Sequence, residues 1–170
     1  PVIARLRSAG AIIMGTTNMT EFALGAAQQY GPNRNPWNLK KTPGGSSGGA
    51  SAAVASGMGQ LAIGTDAGGS IRIPAGFTGI YGLKPSFGRV PAYPPSPFGT
   101  LAHAGPMTRT VNDAALMLDV ISQPDPRDWR SLPPTTFDYR KSLDPDMKGK
   151  KIALCPDLGL NIKINSEIAD

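Results

Sequence analysis

Two serines in this chain are framed by glycines in a way that suits nucleophilic chemistry. Ser46 lies in the run Gly44-Gly45-Ser46-Ser47-Gly48-Gly49, and Ser70 lies in the run Gly64-Thr65-Asp66-Ala67-Gly68-Gly69-Ser70-Ile71-Arg72. Glycines allow the backbone to approach a ligand closely and to adopt conformations that other residues rarely reach. A serine at the end of such a loop, at the beginning of a helix, has its hydroxyl beside free backbone N–H donors. The two loops therefore indicate acyl-transfer chemistry.

Ser70 is the better candidate for the nucleophile. The run from Asp66 to Ser70 has no bulky side chain, so its successive N–H groups can form an anion-binding nest. Such donors stabilise the oxyanion of a tetrahedral intermediate, and a helix that begins near Ser70 would add its positive end. Asp66 and Arg72 flank the loop and are expected to pair and hold its shape, with an ordinary surface ion pair as the alternative.

A serine hydroxyl needs a base to become a nucleophile. Ser46 could relay a proton, but a hydroxyl cannot be the final acceptor. The single histidine, His103, is expected in a turn and is not well placed to serve either serine. A lysine whose pKa is lowered by burial would meet the requirement, as in a Ser–Ser–Lys triad.

The first glycine run admits other interpretations. Residues 45–49 match the G-x-S-x-G nucleophile elbow, and Asp66 and His103 follow in the chain order of that triad. An elbow must follow a strand directly, and residues 37–43 are not strand-like. A flexible linker is another alternative, although an alanine-rich helix and a second glycine-serine loop rarely follow one. Residues 57–62 match a dinucleotide pattern, but they follow a helix and precede a strand, which is the wrong order.

The elements that must position these serines alternate between helical and strand patterns, which favours a layered α/β domain. Apolar spacing and capping residues predict helices over residues 2–9, 19–25, 50–55, 70–78 and 111–121, the last with a Thr110/Asp113 capping box. Short apolar runs predict strands over residues 11–14, 61–63 and 151–155. Residues 26–47, 84–109 and 123–148 are predicted to be loops, and residues 165–170 resemble the beginning of a helix.

Composition argues against several classes of function. The net charge is +5, and the basic knot of Lys148, Lys150 and Lys151 has no interleaved aromatic residues, so we expect a solvated surface rather than a nucleic-acid site. One cysteine, Cys155, is predicted to be a buried thiol on a strand, and a single cysteine allows no internal disulfide. One cysteine and one histidine also make a structural zinc site unexpected. No apolar run is long enough to predict a membrane partner.

Taken together, these runs resemble the amidase signature family. The matching segments are Pro43–Gly49, 64–74, Gly15-Thr16-Thr17-Asn18-Met19, Asn35-Pro36-Trp37-Asn38, Gly82-Leu83-Lys84-Pro85 and Gly105-Pro106-Met107-Thr108-Arg109. The resemblance implies an α/β fold that forms part of an α/β/α sandwich around a large mixed sheet. It also implies one partial domain over residues 1–170. Its parts would be a core signature over about 1–122, a loop-rich extension over 123–148, and a strand with the start of the next helix over 151–170.

The resemblance also implies a role for each site residue. Ser70 would be the nucleophile that forms the acyl-enzyme, and Ser46 would be the bridging serine, held by a cis peptide bond. The oxyanion hole would be formed by the N–H groups of Ala67, Gly68, Gly69 and Ser70, and the supporting groups would be Ser47, Asp66 and Arg72. The reaction would hydrolyse or transfer a small-molecule amide through a serine ester, with no cofactor and no metal.

One part of the family's pattern is missing from this sequence. The family's catalytic lysine lies upstream of the matched region, and Lys40, Lys41 and Lys84 are in the wrong places to replace it. We therefore expect the chain to be cut from a larger protein and to be inactive alone, with the intact protein a cytoplasmic amidase. The glutaminase subunit of a tRNA-dependent amidotransferase and a non-catalytic fragment or scaffold are the alternatives. Unpaired strand edges leave association into homo-oligomers open.

Overall fold

The computed structural model describes residues 1–24, 30–143, 146–155, 158–160, 162 and 167. Its helices are α1 (Val2–Ser8), α2 (Gly48–Ala55), α3 (Arg72–Thr78) and α4 (Val111–Ile121). Its strands are β1 (Leu61–Asp66), β2 (Tyr81–Gly82) and β3 (His103–Thr108). Single 3-10 turns occur at Glu21–Ala23 and Gly99–Leu101. No helix in these ranges is both long and apolar enough to cross a membrane.

The three strands form an antiparallel sheet in the order β1-β3-β2. The register of β1 against β3 runs from Leu61 opposite Thr108 to Asp66 opposite His103. The end of β1 therefore lies beside the beginning of β3. Because the loop that carries Ser70 starts at Asp66, the sheet fixes one end of that loop.

Helices cover both faces of this sheet. Neighbouring residues of a strand point to opposite faces, and accordingly Ala62 packs with one apolar cluster while Ile63 packs with the other. The cluster on the α2 and α3 side is formed by Ala50, Ile71, Ala75 and Met107. The cluster on the α1 and α4 side is formed by Leu6, Val90, Met117, Leu118 and Ile121. The predicted α/β class is confirmed, and the described strands lie between two helical layers.

The longest helix, α4, begins at the predicted capping box. The Thr110 hydroxyl accepts the N–H of Asp113 at 3.1 Å, which satisfies one of the free donors of the first turn. The residues that it buries are Ala114, Ala115, Met117, Leu118 and Ile121. Val111, the first residue of the helix, is 46% exposed.

Two predicted strands are not formed. Residues 11–14 have no strand structure, and Ile12 and Met14 are 90% and 82% exposed. Residues 151–155 likewise form no strand, and Cys155 is exposed, so the prediction of a buried thiol is wrong. Both runs are apolar enough for a strand, but among the described residues no strand lies beside either of them. A strand needs such a neighbour to accept its backbone hydrogen bonds.

Three further predictions need correction. The predicted helix over 19–25 is only the 3-10 turn at Glu21–Ala23, and residue 25 lies outside the described residues. The predicted loop over 84–109 contains the central strand β3, where Pro106 keeps its carbonyl as the acceptor of Leu83 N–H at 3.1 Å. That strand is held by pairing on both sides, which outweighs the local signal of a proline. The helix predicted over 165–170 falls outside the described residues apart from residue 167.

Candidate active site

The two glycine-framed loops meet beside the sheet. The Gly45–Ser46 peptide bond is cis, as the family resemblance implied. The N–H of Ser47 donates to the carbonyl oxygen of Ser70 at 3.2 Å, which joins the first loop to the second. The Ser47 hydroxyl accepts the N–H of Thr65 at 3.1 Å and donates to the Thr65 carbonyl at 3.2 Å. Ser47 therefore fastens the first loop both to β1 and to the residue proposed as the nucleophile.

The carboxylate of Asp66 organises the second loop. It accepts the N–H of Gly69 at 2.7 Å and the N–H of Ile71 at 3.2 Å, so it spans the residues on both sides of Ser70. The predicted ion pair with Arg72 is formed by two hydrogen bonds of 2.9 Å each. The Asp66 side chain is fully buried, whereas the Arg72 side chain is 55% exposed.

This arrangement keeps Asp66 ionised. Burial opposes the charge of the carboxylate and would raise its pKa, but the hydrogen bonds from Arg72, Gly69 and Ile71 outweigh that effect. The net result is a pKa of about 2, well below the ordinary value for an aspartate. At neutral pH the loop is therefore built around a buried negative charge that its own N–H groups satisfy.

The hydrogen bonds of the loop also decide which N–H groups are free. The Gly69 N–H, one of the four expected oxyanion donors, is used by Asp66. The carbonyl of Gly69 accepts Ile73 N–H at 2.7 Å. Since the C=O and N–H of a trans peptide point in opposite directions, the Ser70 N–H points away from Ile73. Within the described part of the chain, the N–H groups of Ala67, Gly68 and Ser70 donate to no protein acceptor.

The helix after this loop begins later than predicted. Helix α3 begins at Arg72, with Ile71 as its N-terminal flanking residue, so Ser70 precedes the helix rather than opening it. Pro74 lies in the first turn, where a missing N–H costs no helical hydrogen bond. The peptides around Ser70 therefore belong to the loop and not to the first turn of the helix.

Ser46 borders a small cavity of about 40 Å³. Its lining residues are Thr17, Met19, Ser46, Ser47, Ala50, Ile63 and Thr65. None of them is a lysine or a histidine, so the cavity wall offers no base to Ser46. The Lys84 ammonium instead donates to the carbonyl of Pro85 at 2.8 Å.

The nucleophile-elbow triad is not assembled. Residues 30–44 contain no strand, and the Asp66 carboxylate binds Gly69, Ile71 and Arg72 rather than His103. His103 begins β3, so the prediction that it lies in a turn is wrong. Its Nδ1 instead contacts the carbonyl oxygens of Asp66 at 3.2 Å and Leu101 at 2.7 Å. The sequence offered no signal for this contact, because it depends on the register between β1 and β3.

An α/β/α domain in which a cis Gly–Ser peptide lies against a carboxylate-organised glycine-serine loop has the architecture of the amidase signature enzymes. Comparison with known proteins agrees, because a sequence model of the family described as Amidase matches residues 1–170. The chain belongs to this amidase family. In the part of the chain that the structure describes, no group of three His, Cys, Asp or Glu side chains could hold a metal ion.

Relatives named for different activities resemble the chain. A glutamyl-tRNA(Gln) amidotransferase subunit of Moorella thermoacetica is 48% identical over 157 residues, which cover 90% of this chain and 32% of the relative. A bacterial aryl acylamidase structure is 41% identical with a TM-score of 0.74, covering 82% of this chain and 30% of that one. The peptide amidase structure of Stenotrophomonas maltophilia is 37% identical with a TM-score of 0.76, and the match covers 85% of this chain and 32% of that one. The chain spans about a third of the length of the curated relatives it matches.

Proposed function

We propose that the protein cleaves the C–N bond of a carboxylic amide through an acyl-enzyme on Ser70. The Ser70 hydroxyl oxygen attacks the carbonyl carbon, and the C=O electron pair moves to the oxygen. The Ser70 proton passes through Ser46 to a base. The C–N bond then breaks, the nitrogen leaves with a proton, and water hydrolyses the resulting ester.

The N–H groups of Ala67, Gly68 and Ser70 are the proposed donors to the oxyanion. Each is free of a protein acceptor within the described ranges, whereas the Gly69 N–H serves Asp66. A single donor of this kind lowers the barrier by about 2.7–4 kcal/mol in well-studied hydrolases. Asp66, Arg72 and Ser47 hold the loops and are proposed as supporting groups. We place the base, a lysine by family resemblance, in the part of the relatives' length that this chain does not span.

One observation carries this proposal. The Ser47 N–H to Ser70 carbonyl hydrogen bond, 3.2 Å long, brings the cis Gly45–Ser46 unit against the loop of Ser70. The two serines are far apart in sequence, and a linker or a surface ion pair would not require their loops to be joined. This contact favours catalysis over a scaffold role.

Covalent labelling tests the assignment. The full-length protein should react with a fluorophosphonate probe at Ser70, and Ser70→Ala should abolish the labelling. Ser56→Ala is the matched control, because Ser56 is exposed and its hydroxyl donates only within the last turn of α2, to the Ala52 carbonyl at 2.7 Å. Undiminished labelling of Ser70→Ala would contradict the nucleophile assignment, and a full-length protein that never labels would favour a scaffold.

A second candidate function is the glutaminase step of a tRNA-dependent amidotransferase. It is favoured by the relatives named as glutamyl-tRNA(Gln) amidotransferase subunits, at 47–49% identity across most of this chain. In this version the amide is that of glutamine and the leaving group is ammonia. Co-purification with two partner subunits and glutamine hydrolysis that depends on tRNA would support it. Rapid hydrolysis of simple amides by the isolated protein would favour a stand-alone amidase.

A further inference from the structure

His103 has a contact that the proposed mechanism does not use. Its ring nitrogen Nδ1 lies 3.2 Å from the carbonyl oxygen of Asp66 and 2.7 Å from that of Leu101. Both neighbours are acceptors, so Nδ1 must carry the proton and donate. The contact with Asp66 crosses from β3 to the last residue of β1, and it reaches the backbone at the point where the loop of Ser70 begins.

The carbonyl of Asp66 and the N–H of Ala67 belong to one peptide unit. That unit is planar, and in its trans form the C=O and the N–H point in opposite directions. A donor that holds the Asp66 oxygen therefore also fixes the direction of the Ala67 N–H, which points away from His103. A rotation of this peptide would turn the Ala67 N–H away from the position it holds in this structure.

The other peptides around Ser70 have their own anchors. The Gly69 carbonyl is held by Ile73 N–H at 2.7 Å, and the Ser70 carbonyl is held by Ser47 N–H at 3.2 Å. The Gly69 N–H is held by the Asp66 carboxylate. The Asp66 residue is paired with His103 in the β1–β3 ladder, and the His103 side chain adds a second donor to its carbonyl at 3.2 Å.

The His103 ring is itself braced. The ring makes a T-shaped contact with Phe87, with ring centroids 5.9 Å apart, and the Arg130 guanidinium lies 5.8 Å from the centre of the Phe87 ring. The Arg130 side chain is 10% exposed, pairs with Asp128 at 3.2 Å and donates to the Gly99 carbonyl at 3.3 Å. A buried side chain with several partners has few alternative conformations. His103 is therefore braced through Phe87 rather than free on the surface.

From these contacts we propose that His103 is a positioning residue of the oxyanion hole, which aims the Ala67 N–H by holding the Asp66 carbonyl. This inference rests on the proposed function, and it assigns His103 no part in proton transfer. Loss of the donor should weaken stabilisation of the transition state while leaving ground-state binding almost unchanged.

The test compares His103→Asn with His103→Gln in the full-length protein. The Asn amide nitrogen occupies roughly the place of Nδ1 and can still donate to Asp66, whereas the Gln amide lies one carbon further out. For a fluorophosphonate probe, we expect His103→Gln and His103→Ala to lower the maximal rate constant of labelling by about 10-fold or more, less than the roughly 10²- to 10³-fold cost of deleting a donor outright. The probe concentration at half-maximal rate should change less than about twofold, because only the transition state is affected. His103→Asn should restore most of the rate.

Each other outcome has a distinct meaning. Equal rates in the unsubstituted, Gln and Ala proteins would overturn this inference alone, as would an Asn variant as slow as the Gln variant. A loss of about 10³-fold or more in every variant, Asn included, would indicate a general base and would also overturn it. An unsubstituted protein that does not label at all would overturn the proposed function, and this inference with it.

Discussion

The backbone N–H of Ser47 donates to the carbonyl oxygen of Ser70 at 3.2 Å, and this contact joins the two loops on which the site depends. Ser47 is also the residue whose hydroxyl pairs with both backbone groups of Thr65 in β1. One small residue therefore ties the cis Gly45–Ser46 unit, the sheet and the loop of Ser70 together. The geometry of the proposed nucleophile depends on residues that do not themselves react.

Ser47→Ala should lower both stability and activity. The change leaves the N–H and the carbonyl of Thr65 without their partner in a site that is only 9% exposed at Ser47. Thr65 is itself exposed, so each of the two lost hydrogen bonds is expected to cost about 0.5–1.5 kcal/mol, which together lowers the free energy of unfolding by about 1–3 kcal/mol. Urea denaturation of the full-length protein measures it. Ser56→Ala, an exposed serine of the same chain segment, should change that free energy by less than about 0.5 kcal/mol. Equal effects of the two substitutions would contradict the bracing role of Ser47.

Asp66 should make stability depend on pH in a predictable direction. Burial raises its pKa, but hydrogen bonds from Arg72, Gly69 and Ile71 outweigh that and set the pKa in the folded protein at about 2. The unfolded value is about 3.9, so the folded state gains stability above that pH and loses it as the pH falls from about 4 towards 2. The stabilisation at neutral pH is about 2 kcal/mol.

Asp66→Asn tests this linkage. We expect the variant to be less stable than the unsubstituted protein at pH 7, and we expect the difference to shrink as the pH falls from about 5 to about 2. Urea unfolding of both proteins at a series of pH values measures the difference. Glu21→Gln, an exposed carboxylate on a 3-10 turn, is the control and should change the free energy of unfolding little. If the free energies of unfolding of Asp66→Asn and the unsubstituted protein differed by the same amount at every pH, the charge of Asp66 would not contribute to stability.

The sequence predicted the parts of the site that depend on local signals. The glycine runs, the Asp66–Arg72 pair and the Thr110 capping box are all short-range features, and each is present in the structure. The contact of His103 with Asp66 was not predictable, because it depends on which strands pair and in what register. For the same reason the sequence misassigned residues 103–108, whose central position in the sheet overrides the local loop signals.

The predictions of strands over residues 11–14 and 151–155 were wrong for the opposite reason. Their composition is typical of buried strands, yet the described residues place no partner strand beside them. Apolar content predicts that a segment is buried, but the N–H and C=O groups of a strand also need hydrogen bonds from a neighbouring strand. The apolar run over residues 61–63 therefore predicted a strand correctly, because β3 lies alongside it, and the observed strand extends to Asp66. The other two runs have no such neighbour among the described residues, and their predictions were wrong.

Removal of the α4 cap should destabilise the protein modestly. Thr110→Ala deletes the hydroxyl that accepts Asp113 N–H at 3.1 Å, and such losses cost about 1 kcal/mol. Thr110→Ser keeps the hydroxyl and should retain most of the stability. Thermal unfolding compares the three proteins. Because α4 packs on the face of the sheet away from Ile71, the rate of labelling at Ser70 should be unchanged in both variants.

Gly49→Ala should lower the stability of the protein, although alanine normally favours a helix more than glycine does. A Cβ at this residue would lie 2.2 Å from the backbone oxygen of Asn18 and 2.9 Å from its nitrogen, so the segment around Asn18 would have to move away from α2. Overpacking of this kind costs about 1–3 kcal/mol or more, because the atoms in the way belong to the backbone rather than to a flexible side chain. Gly76→Ala in α3 is the matched control, since no heavy atom lies within 4 Å of its Cβ position.

The two glycine variants separate close packing from helix propensity. Replacement of an exposed helical glycine by alanine is stabilising by roughly 0.5–1 kcal/mol, so Gly76→Ala should raise the melting temperature slightly. Gly49→Ala should lower the melting temperature and also slow the labelling of Ser70, because α2 begins immediately after the loop that contains Ser46 and Ser47. Similar melting temperatures for the two variants would mean that the contact between α2 and Asn18 is not maintained in solution. A lower melting temperature for Gly49→Ala with an unchanged labelling rate would mean that the position of α2 does not control the geometry of the two loops.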